Sequence, residues 1–436
     1  MSPLPLAGVG SNSIQSFVPL PRHMFSSMNL HTPFARVTSA VVVLATTTLF
    51  ALSSGTTRAS PYVPASDLAA LEQLSTRPGE AGRTTQSSRA TRTLLARDPK
   101  NVDLAVRIAQ VYVSRARAES DPRFLGQAQA ALAPWWGLSE PPVPVLLLRA
   151  TIRQSNHDFS NALRDLEQAV KREPGNAQAW LTLATVQQVS GNPAAALASC
   201  AKLVPITTRL VSTTCAASVD GAMGRAANAY AALDTAIGDA SFVANRDVPV
   251  AVRTWAITLQ AELAERLARP QEADRLYRAS LALDPADAYT VAAYSDFLLD
   301  TGRPAEVLAL IPAATRADIL LLRRAIAARQ AAVPEAATVA DELGRRFAAS
   351  RARGDRVHLR EEARYTLIFK NAPAEALELA TENWRVQKEP LDARIALEAA
   401  LAAQQPKAAS DVLIWLEKTK LQGDKLAGLA SLARPR

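Results

Sequence analysis

The sequence predicts an all-α chain, an α-α superhelix (solenoid) of about nine stacked helix–turn–helix units. Two observations carry that prediction. The first is composition: 48% of the 436 residues are apolar but only 5% aromatic, and Ala recurs in small clusters throughout. An all-β chain needs aromatic and β-branched runs broken by Gly-rich turns, whereas small side chains suit closely packed helices. The second is self-similarity with a period of 34 residues, and a period of that size decides the whole architecture. Length alone would suggest about three ordinary domains; a repeat array needs no such division.

Residues 1–59 read as a secretory signal. They hold no Asp or Glu and three basic residues, Arg22, Arg36 and Arg58, and an apolar run extends from Ala40 to Leu52. A run of about 13 residues falls short of the roughly 20 that span a bilayer and fits the apolar core of a leader. Thr57-Arg58-Ala59 offers cleavage after Ala59. The rival reading is an uncleaved N-terminal anchor in the inner membrane, which would be the chain's one membrane contact. Met24 and Met28 are alternative starts to Met1, and no Cys lies near the cleavage region, which excludes a lipoprotein anchor. The expected location is therefore the periplasm or the exterior. Removing the three leader arginines lowers the net charge from +8 to +5. The basic clusters Arg345-Arg346 and Arg351 to Arg360 are interleaved with acids and alanines and read as solvated helix faces. They lack the aromatic interleaving that single-stranded nucleic acid requires, so nucleic acid is not an expected partner.

After a flexible linker at 60–67, degenerate repeats occupy 68–142, with Pro99 closing a first unit that begins near Leu68 and Val102 starting the next. Clear repeats follow over 143–236. There Ala150 falls over Ala184, Ala162 over Ala196, Leu166 over Cys200 and Ala169 over Leu203. An irregular connection at 237–253 leads to repeats over 254–421, where Ala261 aligns with Ser295, Ala273 with Val307 and Tyr277 with Ile311. Pro174 and Pro285 stand where each second helix should end, because Pro lacks the amide hydrogen a helix interior needs. Gly191, Gly221 and Gly302 are expected at the turns between paired helices, supplying the left-handed cap. Residues 422–436 form a capping helix and tail whose apolar stretch, Leu426 to Leu432, could also serve a homodimer.

These residues resemble the tetratricopeptide repeat, a helix–turn–helix unit with a small residue at its eighth position, small or apolar ones at the twentieth, twenty-fourth and twenty-seventh, and Pro at the thirty-second. Members stack their units so that neighbours share a continuous core. The resemblance implies a right-handed superhelix whose concave groove is lined by first-helix residues. Carried onto this chain, that lining is Asp103, Arg107 and Gln110; Leu147, Thr151 and Gln154; Gln178, Thr182, Thr185 and Gln188; Trp255, Thr258 and Glu262; and Tyr289 and Asp296. It is mixed and mostly neutral. The clamp by which chaperone-binding members hold a C-terminal carboxylate is missing, since Leu147, Thr151, Leu181 and Thr185 occupy its places.

Catalytic and metal signals are sparse. Of four histidines, His23 and His31 lie in the leader, His157 in a turn and His358 in a basic segment, and no His-Glu-x-x-His, Gly-x-Ser-x-Gly or phosphate-cradling loop occurs. Glu361-Glu362 reads as solvated surface. Cys200 and Cys215 fall on helices that this architecture packs side by side. They form either a structural disulfide, favoured by export, or two buried thiols. The function expected is that of a non-catalytic exported scaffold, without cofactor or metal, holding a protein or peptide in its groove during envelope assembly or secretion. The alternative is an envelope enzyme, or a subunit of one, using groove carboxylates.

Overall fold

The computed structural model describes residues 93–118, 121–239, 248–354 and 357–434. The leader, the linker and most of the unit beginning near Leu68 lie outside the described residues. Those described contain helices and no strand; the longer helices are arranged as nine antiparallel pairs and a terminal helix, with a short helix, Ala133–Trp136, between pairs 1 and 2 and a 3-10 turn, Pro406–Ala409, within pair 9. Pair 1 is α1 (Val102–Ala118) with α2 (Arg123–Ala131), pair 2 α3 (Val143–Ser155) with α4 (Phe159–Arg172), and pair 3 α5 (Ala177–Val189) with α6 (Pro193–Ala201). Pair 4 is α7 (Arg209–Ala222) with α8 (Ala226–Gly238), pair 5 α9 (Val250–Arg266) with α10 (Pro270–Leu283), and pair 6 α11 (Ala288–Asp300) with α12 (Pro304–Leu310). Pair 7 is α13 (Asp318–Gln330) with α14 (Ala336–Ala352). In pair 8, α15 (Leu359–Tyr365) continues as a π-helical turn, Thr366–Lys370, before α16 (Pro373–Val386). Pair 9 joins α17 (Pro390–Ala402) to α18 (Ser410–Thr419), and α19 (Asp424–Ala433) closes the array.

The small residues that set the period are buried where paired helices touch: Ala150, Ala184, Ala261 and Ser295 are each at most 2% exposed. Apolar clusters run from one pair into the next, so no pair has a core of its own.

One turn geometry recurs through pairs 2–9. Each first helix ends in a residue at positive φ: His157, Gly191, Gly224, Ala268, Gly302, Ala332, Asn371 and Gln404. In most of these turns the next amide donates to a carbonyl five residues back, as in Asp158 N to Arg153 O (2.8 Å), Asn192 N to Gln187 O (2.8 Å) and Arg303 N to Leu298 O (2.8 Å). This is the Schellman closure of a helix C-terminus. Proline follows two residues after the cap at Pro193, Pro270, Pro304, Pro334, Pro373 and Pro406. A fixed φ and a missing amide hydrogen suit Pro to the start of the second helix. Gly221 is not a turn residue. It lies inside α7, where a Cβ would overlap Leu263 of α9 and approach Arg266 Nη1 to 2.8 Å, and Gly224 makes the turn instead.

The Cys200–Cys215 disulfide ties α6 to α7, with a Cα–Cα distance of 5.6 Å. α19 buries Leu426, Ala430 and Ala433 against pair 9 and leaves Leu432 exposed.

Candidate functional site

In a solenoid of helix pairs the first helices face the superhelix axis, and here two stretches of that inner face differ. In pairs 5–9 the first helices are buried almost all round: every residue from Thr290 to Leu299 in α11, from Leu321 to Ala328 in α13 and from Leu359 to Arg364 in α15 is enclosed. Several of their buried charged side chains are tied to one another. Asp296, fully buried, accepts from Arg323 Nε (3.0 Å) on α13 and from Arg364 Nη1 (2.8 Å) on α15. Arg360 donates to Asp392 Oδ1 (2.6 Å) and Glu389 Oε2 (2.5 Å) at the start of α17. Asp300 receives Arg394 of α17 (3.4 Å) and Lys425 of α19 (2.5 Å). Burial pushes the Asp300 carboxyl up to about 7 against the pull of Arg394 and Lys425. It pulls the Lys425 ammonium down to about 8, with Arg394 adding to that effect.

Two readings of the sequence change here. Glu361 and Glu362 are buried rather than solvated, and Arg360, read as part of a solvated basic face, sits inside an ion-pair network. A local pattern of charges cannot reveal that the next repeat supplies the counter-charge.

The inter-helix turns of pairs 3 and 4 also abut residues about five units further along. Lys388 N donates to Val189 O (2.8 Å), and a Cβ on Gly191 would come within 2.9 Å of Lys388 Cδ. Ala226 N donates to Gln422 Oε1 (2.9 Å), and a Cβ on Gly224 would overlap the Lys420 carbonyl. In the pair 2 turn, burial lowers the His157 pKa to about 4, and the charge of the Arg360 guanidinium adds to the shift. One superhelical turn thus rests on the next.

What remains of the inner face is a half-buried lane on pairs 2 and 3, comprising Leu147, Gln154, Gln178, Thr185 and Gln188. Gln154 Oε1 is buried with no hydrogen-bond partner. Gln178 donates to Thr182 Oγ1 (3.1 Å), and Gln188 bridges to Ser218, accepting from its Oγ at 2.8 Å. Carboxamides both donate and accept, so this lane can match backbone amides of an extended segment.

The expected groove residues therefore divide. Arg107 and Gln110 are exposed on α1, and Gln154, Gln178 and Thr185 lie in the lane. Thr182 is buried beneath it and donates to Gln178 O (2.8 Å). Trp255 is buried in the core shared by pairs 3–5. Glu262 is buried, accepting from the half-buried Tyr289 hydroxyl, and Asp296 belongs to the arginine network. Sequence reasoning did not single out Arg323, Arg364 and Arg394. Their counter-charges come from other repeats, so the local sequence carried no signal for them. No three His, Cys, Asp or Glu among the described residues form a group able to hold a metal ion.

The tetratricopeptide repeat family profile matches residues 154–209, which include much of the lane. No curated protein sequence matches the chain. Among solved structures, the chain is similar to the APC/C hetero-tetramer Cut9–Hcn1 at 13% identity and a TM-score of 0.37, covering 81% of this chain and 53% of that one. The chain thus spans about half of that relative's length. It is similar to yeast Tom70 at 10% identity and a TM-score of 0.37, covering 81% and 86%. It is also similar to a tetratricopeptide repeat protein from Parabacteroides merdae at 14% identity and a TM-score of 0.29, covering 67% and 98%.

Proposed function

Because this chain is a tetratricopeptide repeat protein, we propose that it is a non-catalytic exported scaffold holding a protein or peptide partner against the lane on pairs 2 and 3, in envelope assembly or secretion. The observation that carries this reading is the contrast along the inner face. Pairs 5–9 fill their axis with their own charges, whereas Gln154, Gln178 and Thr185 remain half-buried and Gln154 keeps an unused acceptor. Repeat folds of this kind mediate protein association, and an extended segment laid along stacked helices is a familiar mode of capture. Export rests on the leader-like composition of 1–59.

A catalytic use of the Glu262 and Asp296 carboxylates has less support, since they already accept from Tyr289 and from Arg323 and Arg364.

Photo-crosslinking residues placed at Gln154, Gln178 and Thr185 test the reading against a control at Glu167, exposed on the second helix of pair 2. A single partner trapped from the three lane positions and absent at Glu167 is expected. Equal trapping at Glu167, or none from the lane, would contradict it.

A further inference from the structure

A cavity of about 440 Å³ lies between the second helix of pair 7 and the first helix of pair 8, within the roughly 300–1,000 Å³ usual for ligand pockets. Neither the lane nor the inter-turn contacts use it. Asp341, Gly344 and Phe347 of α14 form one wall, and Glu362, Tyr365 and Thr366 form the other. The last of these opens the π-helical turn Thr366–Lys370, a local widening often found at functional sites. A Cβ at Gly344 would overlap the Tyr365 hydroxyl, so glycine there gives the ring its position.

The cations at this cavity are already engaged. Arg345 donates to Glu342 (2.6 Å), Lys370 to Glu375 (2.5 Å), and Arg351 pairs with Glu362. Three groups are left: the exposed Asp341 carboxylate and the hydroxyls of Tyr365 and Thr366. Thr366 is 0% exposed, and its Oγ1 has no hydrogen-bond partner, a condition rare for a buried hydroxyl. Asp341 and Tyr365 line the same cavity; burial raises the Tyr365 phenol above its ordinary range, the charge of Asp341 adds to the rise and the Arg351 guanidinium opposes it. The Phe347 and Tyr365 rings, 5.5 Å apart between centroids, supply an apolar flank.

We propose that this cavity binds a primary alkylammonium group, either free or on a lysine side chain, through Asp341, Thr366 and Tyr365. An ammonium carries three donors and no acceptor, and each of the three vacant groups can accept. The one unpaired formal charge is negative, which disfavours an anion, and the alkyl stem has the Phe347–Tyr365 flank to lie on. This site stands apart from the partner lane and does not rest on it.

Calorimetric titration of the full chain with n-butylammonium, Nα-acetyl-lysine N-methylamide and its Nε-acetylated form tests the proposal. The two amines should bind and the acetylated form should not. Asp341→Asn and Thr366→Val should each weaken binding at least tenfold, whereas Glu167→Gln should leave it unchanged. Tighter binding of the lysine derivative assigns the ammonium to a partner's side chain, and tighter binding of butylammonium assigns it to a free amine. Absence of binding, equal binding of the acetylated form, or binding indifferent to both substitutions would overturn the proposal. Should Thr366→Val fail to fold by circular dichroism, the exposed Asp341→Asn decides alone.

Discussion

Asp296 of pair 6 and Arg364 of pair 8 meet at 2.8 Å across 68 residues of sequence, with Arg323 of pair 7 on the same carboxylate. Three successive first helices are thereby locked around one fully buried charge. Removing one partner of a buried ion pair leaves the other charge uncompensated and costs about 3–5 kcal/mol. Asp296→Ala, which strands two buried guanidinium groups, should therefore lower stability by about that amount in a urea titration. A loss under about 1 kcal/mol, the range of a surface pair, would show that water reaches this site.

Gly224 and Gly302 both sit at φ +72, but only Gly224 faces another superhelical turn, at Lys420. An L-residue in the left-handed region costs roughly 1–2 kcal/mol, which is the whole expected effect of Gly302→Ala, where nothing lies within 4 Å of the added carbon. Gly224→Ala should cost more, because backbone must move. It should also speed amide exchange at 420–424, whereas Gly302→Ala should not.

Asp300 gives the fold a pH dependence of defined sign. Its native carboxyl is raised to about 7, while an unfolded Asp titrates near 3.9 (about one unit's spread). The folded state therefore binds more protons between those values. The contribution of Asp300 to stability is fully present below about pH 4 and is lost as pH rises through about 7. Chemical denaturation of the native chain and of Asp300→Asn across pH 4 to 8 should show this declining component in the first and not in the second.

The Cys200–Cys215 bond spans a sequence separation of 15, and closing a loop of that size is worth about 3 kcal/mol. Reduction, or Cys200→Ser with Cys215→Ser, should lower the denaturation midpoint accordingly and leave helical content unchanged at low denaturant.

The parts of this fold that were legible in the sequence are those that nearest neighbours determine. Ala150, Ala184, Ala261 and Ser295 recur at a fixed offset because each paired-helix contact imposes the same steric limit, and their burial follows. The turns were half legible. Gly191 and Gly302 announce themselves, but Ala268, Ala332 and Gln404 adopt the same positive φ without glycine, and the proline two residues later was the steadier mark. Contacts that depend on rotation accumulated over many units left no local trace. Nothing near Lys388 in the sequence points to Val189, and nothing near Glu361 indicates burial. Closure of the first helices in pairs 5–9, which no local pattern indicates, removes Trp255, Glu262 and Asp296 from the surface a ligand could touch.

Hydrogen exchange at the Lys388 amide tests the closed superhelix most directly. That N–H donates to Val189 O at 2.8 Å, an acceptor 199 residues away. Protection comparable to that of a helix interior is expected in the full chain. Exchange at the rate of an open turn would mean that successive superhelical turns do not touch and that the inner face of the whole array is open.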